Sequence, residues 1–204
     1  MNLGDEKVDR VTQKKKIKEK QLFSAGYDLF LNQGIEKTAI NDIVNKAGVA
    51  KGTFYLYFKD KYDLLNKLIL KKSNKIFNEA LKATVNASID DFNEKVLFFL
   101  DYVINALKNN ILLLKLINKN ISWGLYRKAI MKQEEYDNGR RVIEIFINNL
   151  IKQGMSKEEA EITLFMIIEL VGSVCFTTII LQEPTDIETV KPILFKKILA
   201  MLKI

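Results

Sequence analysis

Apolar side chains recur at helical spacing along almost the whole chain. In the first such segment, residues 17–33, they fall at intervals of three and four residues, which predicts a helix that packs on one side. The apolar positions of this face are Leu22, Phe23, Tyr27, Phe30 and Leu31. Gly34 follows as a C-terminal cap, and we expect the polar residues 1–13 to be frayed.

The next pattern predicts two short helices joined by a tight turn. Thr38 is placed to cap the first helix, because its hydroxyl can accept a hydrogen bond from an unpaired backbone N–H. Gly48 ends that helix and can adopt the left-handed conformation that a sharp turn requires. The second helix is expected over residues 50–57. Phe54 and Phe58 are expected to face the core. The other faces of this segment carry Lys51, Gly52, Thr53, Tyr55 and Tyr57.

The remaining sequence predicts further helices and no strand. Asp60 is a plausible cap for a helix that begins near Lys61, and Ser88 and Ser156 each open a pattern typical of a capping box. The expected helical segments are 61–87, 92–108, 111–117, 122–153, 156–181 and a last segment, roughly 185–204, whose start is limited by Pro192. The predicted fold class is therefore all-α.

Charge is concentrated in the first third of the chain. Residues 1–72 contain 15 Lys or Arg and 9 Asp or Glu, whereas residues 73–204 contain 17 and 16. A positive patch is what a phosphate backbone attracts, although a solvated basic face would have the same composition. Lys14, Lys15 and Lys16 near the N-terminus are open to both interpretations.

The residue inventory argues against metal or triad catalysis. The chain has no histidine and one cysteine, Cys175, so it offers neither a histidine base, nor a Cys/His metal site, nor an internal disulfide. We expect no metal, no cofactor and no enzymatic activity, since only scattered carboxylates and lysines remain for acid–base chemistry. The N-terminus lacks the apolar stretch of a signal peptide, which favours the cytoplasm.

The most apolar stretch, Ile162 to Leu181, is long enough to cross a bilayer. If the two short helices joined at Gly48 bind DNA, one alternative is a membrane-attached helix-turn-helix DNA-binding protein that is anchored by this stretch. The other is a soluble protein in which the stretch is packed in a helical bundle. Glu169 near the middle of the stretch argues against a membrane span, as does the lack of closely flanking Lys or Arg. We favour a helix in a soluble bundle and expect no membrane partner.

A longer string of residues runs from Leu22 to Leu65 with its order and spacing intact. It comprises Leu22-Phe23-x-Ala25-Gly26-x-x-Leu29-Phe30, Gly34, Thr38, Asp42-Ile43, Ala47-Gly48-Val49, Lys51-Gly52-Thr53-Phe54-Tyr55-x-Tyr57-Phe58-Lys59-x-Lys61 and Leu64-Leu65. This string resembles the DNA-binding domain of tetracycline-repressor (TetR) family transcription regulators. Three positions depart from the family pattern, namely Gly26, Ala50 and Leu56.

The resemblance implies two domains and a set of DNA contacts. Residues 1–60 would form a three-helix helix-turn-helix DNA-binding domain with a basic N-terminal arm, and residues 61–204 a helical effector-binding and dimerisation domain. Lys51, Gly52 and Thr53 would face base edges in the major groove. The remaining implied contacts, to phosphates and near them, are Thr38, Tyr55, Tyr57, Lys59 and Lys61.

The resemblance also implies a homodimer and a ligand. The apolar segments 156–181 and 185–204 would form a four-helix interface with a second copy, and a two-fold dimer reads a palindromic operator with half-sites about one turn apart. A cavity for a small lipophilic effector would have candidate lining residues Phe99, Tyr102, Leu116, Trp123, Tyr126, Phe146, Phe165, Glu169 and Phe176.

Two alternatives stay open for these lining residues. Aromatic side chains at helical spacing are also what an ordinary core requires. Glu169, a carboxylate in an apolar helix, would either pair across the dimer or meet a cationic ligand. The predicted function is a ligand-responsive transcriptional regulator, a repressor whose operator affinity falls when the effector binds.

Overall fold

The computed structural model of this chain describes residues 3–120 and 137–203. Every regular element within these ranges is helical, which confirms the all-α prediction. The chain divides into two compact units, Met1–Leu68 and Ile69–Ile204. The first part of the helix predicted over residues 122–153 lies outside the described residues.

The N-terminal unit contains three helices and the start of a fourth. These are α1 (Leu3–Gln33), α2 (Ile40–Ala47), α3 (Lys51–Tyr55) and the first residues of α4 (Lys61–Asn86). Gly34 and Gly48 have φ angles of 78° and 66°, so both glycines end helices in the left-handed conformation, as predicted. Leu22, Ile43 and Phe54 are fully buried where the helices meet.

Gly26 departs from the family pattern for a reason of packing. A Cβ built on Gly26 would lie 2.6 Å from the Cδ2 atom of Leu64, which is well inside van der Waals contact. Leu64 is itself fully buried. A side chain on residue 26 would therefore require the packed Leu64 side chain to shift.

The structure corrects three predictions about the helices of this unit. α1 begins at Leu3, so the prediction that residues 1–13 are frayed was wrong for residues 3–13; the segment contains no proline, and extending an existing helix is much easier than nucleating one. α3 ends at Tyr55, two residues earlier than predicted. Thr38 does not cap α2, because Ala39 occupies the N-cap position.

The caps of α2 and α4 come from aspartates. The Asp42 carboxylate accepts a hydrogen bond from the Ala39 backbone N–H at 3.1 Å. The Asp60 carboxylate accepts from the backbone N–H groups of Tyr62 and Asp63 at 2.9 and 2.8 Å, which confirms Asp60 as the cap of α4. Carboxylates at these positions also complement the helix dipole.

The C-terminal unit contains the rest of α4 and the helices that follow. These are α5 (Phe92–Lys108), α6 (Ile111–Asn120), α7 (Asp137–Lys152), α8 (Lys157–Phe176) and α9 (Ile187–Met201). α8 continues as a π-helical turn over Thr177–Leu181 and packs against α6, α7 and α9. Ile104, Leu113, Leu150 and Ile198 are fully buried in this unit.

Helix starts in this unit are only partly as predicted. Ser156 caps α8 and accepts from the Glu159 N–H, as expected. α5 is capped by Asp91, whereas Ser88 lies outside the helix with a φ angle of 51°. Pro192 does not limit the start of α9, because Asp186 caps that helix six residues earlier and leaves the proline inside it.

Candidate nucleic-acid interface and ligand cavity

α3 presents a polar face to solvent because its apolar side is anchored. Phe54 is fully buried, and its ring lies 5.5 Å from that of Phe58. Lys51, Gly52 and Tyr55 are exposed, and Thr53 is half-buried. The structure thus brings together on one short helix the residues that the sequence assigned to base edges, with the Tyr55 side chain beside them.

Packing among the described residues does not require glycine at position 52. A Cβ built there would meet no atom of the described residues within 4 Å. Glycine in a helix is less favourable than alanine by about 1 kcal/mol. The open backbone at this position is accessible to an external partner.

Three of the implied phosphate contacts have polar atoms that are already used inside the N-terminal unit. Thr38 is 1% exposed, and its hydroxyl donates to the Gly34 carbonyl at 2.7 Å. The Tyr57 hydroxyl donates to the Lys15 carbonyl of α1 at 3.0 Å. The Lys61 ammonium donates to three backbone carbonyls. Lys59, by contrast, has an exposed side chain.

The N-terminal lysines extend the positive surface along α1. Lys14, Lys15 and Lys16 belong to a continuous helix together with Lys18 and Lys20, and all five side chains are exposed. The hydrogen bond from Tyr57 brings the backbone of Lys15 against the end of the helix-turn-helix. Lys18 and Lys20 were absent from the sequence-based set, although the helical pattern that follows them would have placed them on α1.

The C-terminal unit encloses a cavity of about 480 Å³. Its walls come from α4, α5, α7 and α8, with Ile117 of α6. The lining side chains include Phe77, Phe92, Phe99, Phe146, Leu164 and Ile167. Cavities of this size and character are typical of sites for small organic ligands.

The structure places the predicted lining residues in different surroundings. Phe99 and Phe146 line the cavity, and their rings lie near those of Phe77 and Phe92, at centroid distances of 6.0 and 5.8 Å. Sequence reasoning missed Phe77 and Phe92, although both are aromatic residues at helical spacing. The described candidates outside the lining are Tyr102, Leu116, Phe165, Glu169 and Phe176. Trp123 and Tyr126 lie outside the described residues.

Three polar side chains in the described lining of the cavity donate hydrogen bonds to backbone carbonyls. The Thr84 hydroxyl donates to the Ala80 carbonyl at 2.8 Å, and the Asn149 amide donates to the Ile145 carbonyl at 2.8 Å. Lys95 lines the cavity near the turn between α4 and α5, where its ammonium donates to the Asp90 carbonyl at 3.3 Å. This wall therefore favours an apolar ligand.

One face of α8 is apolar and exposed. Ile162, Phe165 and Met166 are each more than 40% exposed, and Glu169 follows on the same face. Among the described residues, Lys157–Leu181 is one helix long and apolar enough to cross a membrane, and α5 and α6 pass the same test only as a bent pair. Only 28% of the most apolar window of Lys157–Leu181 is buried within the chain.

Comparison with known proteins identifies the family of the N-terminal unit. Residues 22–68 match the sequence profile of the bacterial regulatory proteins of the TetR family. The chain therefore carries a DNA-binding domain of the TetR family. Its relatives are transcription regulators, which confirms the prediction that it is not an enzyme.

Individual relatives match the chain to different extents. The chain is 44% identical to the uncharacterised helix-turn-helix regulator YvdT of Bacillus subtilis over 48 residues, or 24% of the chain and 25% of that protein. It is 24% identical to YhgD of the same organism over 87% of the chain and 92% of that protein.

The solved structures show the same fold. The FadR regulator of Bacillus subtilis, in complex with stearoyl-CoA, superimposes with a TM-score of 0.64 over 89% of this chain and 97% of that one. The identity is 17%, so the likeness concerns the fold alone. TetR-family neighbours share the N-terminal helix-turn-helix and the C-terminal helical domain.

Proposed function

We propose that this protein is a homodimeric transcriptional repressor that binds a palindromic operator and is released by a lipophilic small molecule. The observation that carries the proposal is the apolar cavity of about 480 Å³ in a chain whose N-terminal unit is a TetR-type helix-turn-helix. The division that we propose is a DNA-binding domain over residues 1–60 and an effector and dimerisation domain over residues 61–204. As a DNA-binding protein of this kind, it would act in the cytoplasm.

The exposed residues of α3 supply the proposed contacts with bases. Lys51 and Thr53 offer donors to the major groove, and Gly52 lets the DNA approach the backbone. Tyr55 and Lys59 are exposed and suited to phosphate contacts, which fix the position of the protein on the duplex. Each lysine that neutralises a phosphate makes binding more salt-dependent.

The proposed effector carries a long apolar group. The cavity volume lies within the range of about 300–1,000 Å³ typical of ligand pockets, and its described wall is almost entirely aliphatic and aromatic. The structural neighbour FadR was solved with stearoyl-CoA, whose acyl chain has this character. A long-chain acyl thioester or fatty acid is therefore the first class of ligand to test.

The proposed dimer uses the exposed faces of α8 and α9. Ile162, Phe165 and Met166 on α8 and Ile193 on α9 are large apolar side chains that a second copy would cover. Glu169 is exposed on the α8 face, and Lys196 and Lys197 are exposed on α9 beside Ile193. Opposite charges on the two faces would complement each other across a two-fold axis.

Fluorescence anisotropy with the DNA upstream of the gene tests this proposal. We expect affinity for that DNA to exceed affinity for unrelated DNA by at least about a thousandfold at physiological salt. We also expect stearoyl-CoA or palmitate to lower the affinity. Equal affinity for both DNAs would contradict the proposal. Specific binding that no lipophilic ligand changes would contradict its effector half.

The membrane-attached alternative retains one supporting observation, the low burial of Lys157–Leu181 within the chain. Flotation with phospholipid vesicles separates the two interpretations. If the exposed α8 face is a dimer interface, the protein stays in the lipid-free fraction and sediments with the mass of two chains. If the face is a membrane anchor, the protein floats with the vesicles.

A further inference from the structure

The ammonium of Lys61 is held by the backbone of the loop between α1 and α2. Its Nζ atom donates to the carbonyl oxygens of Ile35, Glu36 and Thr38 at 2.8, 3.1 and 3.2 Å. A lysine ammonium has three N–H donors and no acceptor. Each of the three donors therefore has a backbone partner, and a DNA phosphate could bind Lys61 only by replacing one of these partners.

The position of Lys61 is also unusual for a cation. Lys61 is the first residue of α4, where the positive end of the helix dipole disfavours a positive side chain. The three carbonyl oxygens converge on the same atom and offset that disadvantage. They come from the segment that connects the cap of α1 at Gly34 with the N-cap of α2 at Ala39.

Tyr62, the next residue, ties the same loop to α4. Its hydroxyl donates to the Glu36 carboxylate, with distances of 3.3 and 3.2 Å to the two oxygens. The Lys61 ammonium also lies 5.5 Å from the centroid of the Tyr62 ring. The first turn of α4 thus holds the loop that leads into α2 through two adjacent side chains.

We propose that Lys61 is a positioning residue that holds the helix-turn-helix in its DNA-reading geometry and does not itself contact phosphate. It acts by fastening the α1–α2 loop to α4, so that α2 and the following α3 keep their orientation. The proposal rests on the proposed DNA-binding function. The phosphate contact that the sequence predicted for Lys61 is made by the exposed Lys59 instead.

Chemical labelling of the unaltered protein tests the contact directly. Brief acetylation of lysines, read by mass spectrometry of peptides, should modify Lys59 readily and Lys61 at least about tenfold more slowly in the free protein, because the three hydrogen bonds occupy its ammonium. Addition of upstream DNA should protect Lys59 and leave the rate at Lys61 unchanged. A Lys61 that reacts as fast as Lys59 and is protected by DNA would overturn the proposal.

The matched variants Lys61→Met and Lys59→Met test the role in binding. For Lys61→Met we expect operator affinity to fall about tenfold, with affinity for unrelated DNA and the slope of log K against log salt unchanged. For Lys59→Met we expect weaker binding to both DNAs and a slope reduced by about 0.9.

Two other results for Lys61→Met would overturn the proposal. A slope reduced by about 0.9 would make Lys61 a phosphate contact. Equal losses on both DNAs at unchanged slope would mean that Lys61 affects only the folded fraction. If the unaltered protein bound DNA without salt dependence, the proposed function would fail, whereas labelling of the free protein would still report on the Lys61 contact.

Discussion

At the scale of single residues, side-chain type alone does not decide whether a polar group faces DNA or its own domain. Thr38, Tyr57 and Lys61 have the chemistry of phosphate contacts, yet each donates to a backbone carbonyl of the N-terminal unit. Those acceptors lie between 4 and 42 residues away along the chain. Such pairings depend on how the helices pack, which the sequence pattern does not contain.

The two tyrosines of the motif provide a matched pair. We expect Tyr55→Phe to weaken operator binding roughly three- to tenfold without changing thermal stability, because the exposed hydroxyl is available to a phosphate. Tyr57→Phe should instead lower the free energy of unfolding by about 1 kcal/mol, because it removes the hydrogen bond to Lys15. Anisotropy and thermal melts of both variants give the comparison. The reverse pattern would exchange the two roles.

Cys175 lies on the buried side of α8, and burial raises the pKa of its thiol to about 12. The folded-state pKa lies above the unfolded value of about 9, so the thiol's contribution to the free energy of unfolding is fully present below pH 9. This contribution is lost as the pH rises toward 12, because the unfolded thiol ionises first. We expect the thiol to react with a disulfide reagent only after denaturation. Fast reaction in the native protein at pH 8 would contradict this burial.

At the scale of helices, sequence periodicity predicted which segments are helical better than where they begin. The apolar stripes of α4 and α5 predicted which faces of these helices are packed, because an apolar repeat of 3.6 residues marks one face of a helix. Helix starts depend on one or two hydrogen bonds from a capping side chain, and several residues can compete to make them. Asp91 replaces Ser88 as a cap in this way, and Asp186 begins α9 ahead of Pro192.

The cavity was only partly predictable for a related reason. Phe99 and Phe146 line it, whereas Phe165 lies on the opposite, exposed face of α8. Aromatic residues at helical spacing look alike in sequence, whether they face a cavity, the core or a partner. The direction in which each side chain of α8 points depends on how the helix is rotated about its axis. The sequence does not specify this rotation, because apolar residues extend around most of the helix.

Phe146 and Phe165 should therefore respond differently to substitution. Phe146→Trp adds volume to the cavity wall, so we expect at least a tenfold loss of affinity for a lipophilic effector, with the dimer retained. Phe165→Glu places a charge on the exposed α8 face and should shift the protein toward monomer without changing the cavity. Ligand titration and sedimentation of both variants test the assignment; effector loss in Phe165→Glu alone would contradict it.

At the scale of the whole molecule, the two compact units carry different chemistry. The N-terminal unit has the basic excess, the exposed α3 and the TetR-family match, and the C-terminal unit has the apolar cavity. The excess positive charge lies in residues 1–72, which agrees with this division, although the division itself was predicted from the family resemblance.

Native mass spectrometry of the protein mixed with a duplex from its own upstream region tests the central claim most directly. We expect a complex of two chains and one duplex, which dissociates when a long-chain acyl thioester is added and leaves a free dimer with one ligand bound to each chain. A single chain on the duplex, or a complex that keeps its DNA while both cavities are occupied by ligand, would contradict a dimeric repressor released by its effector.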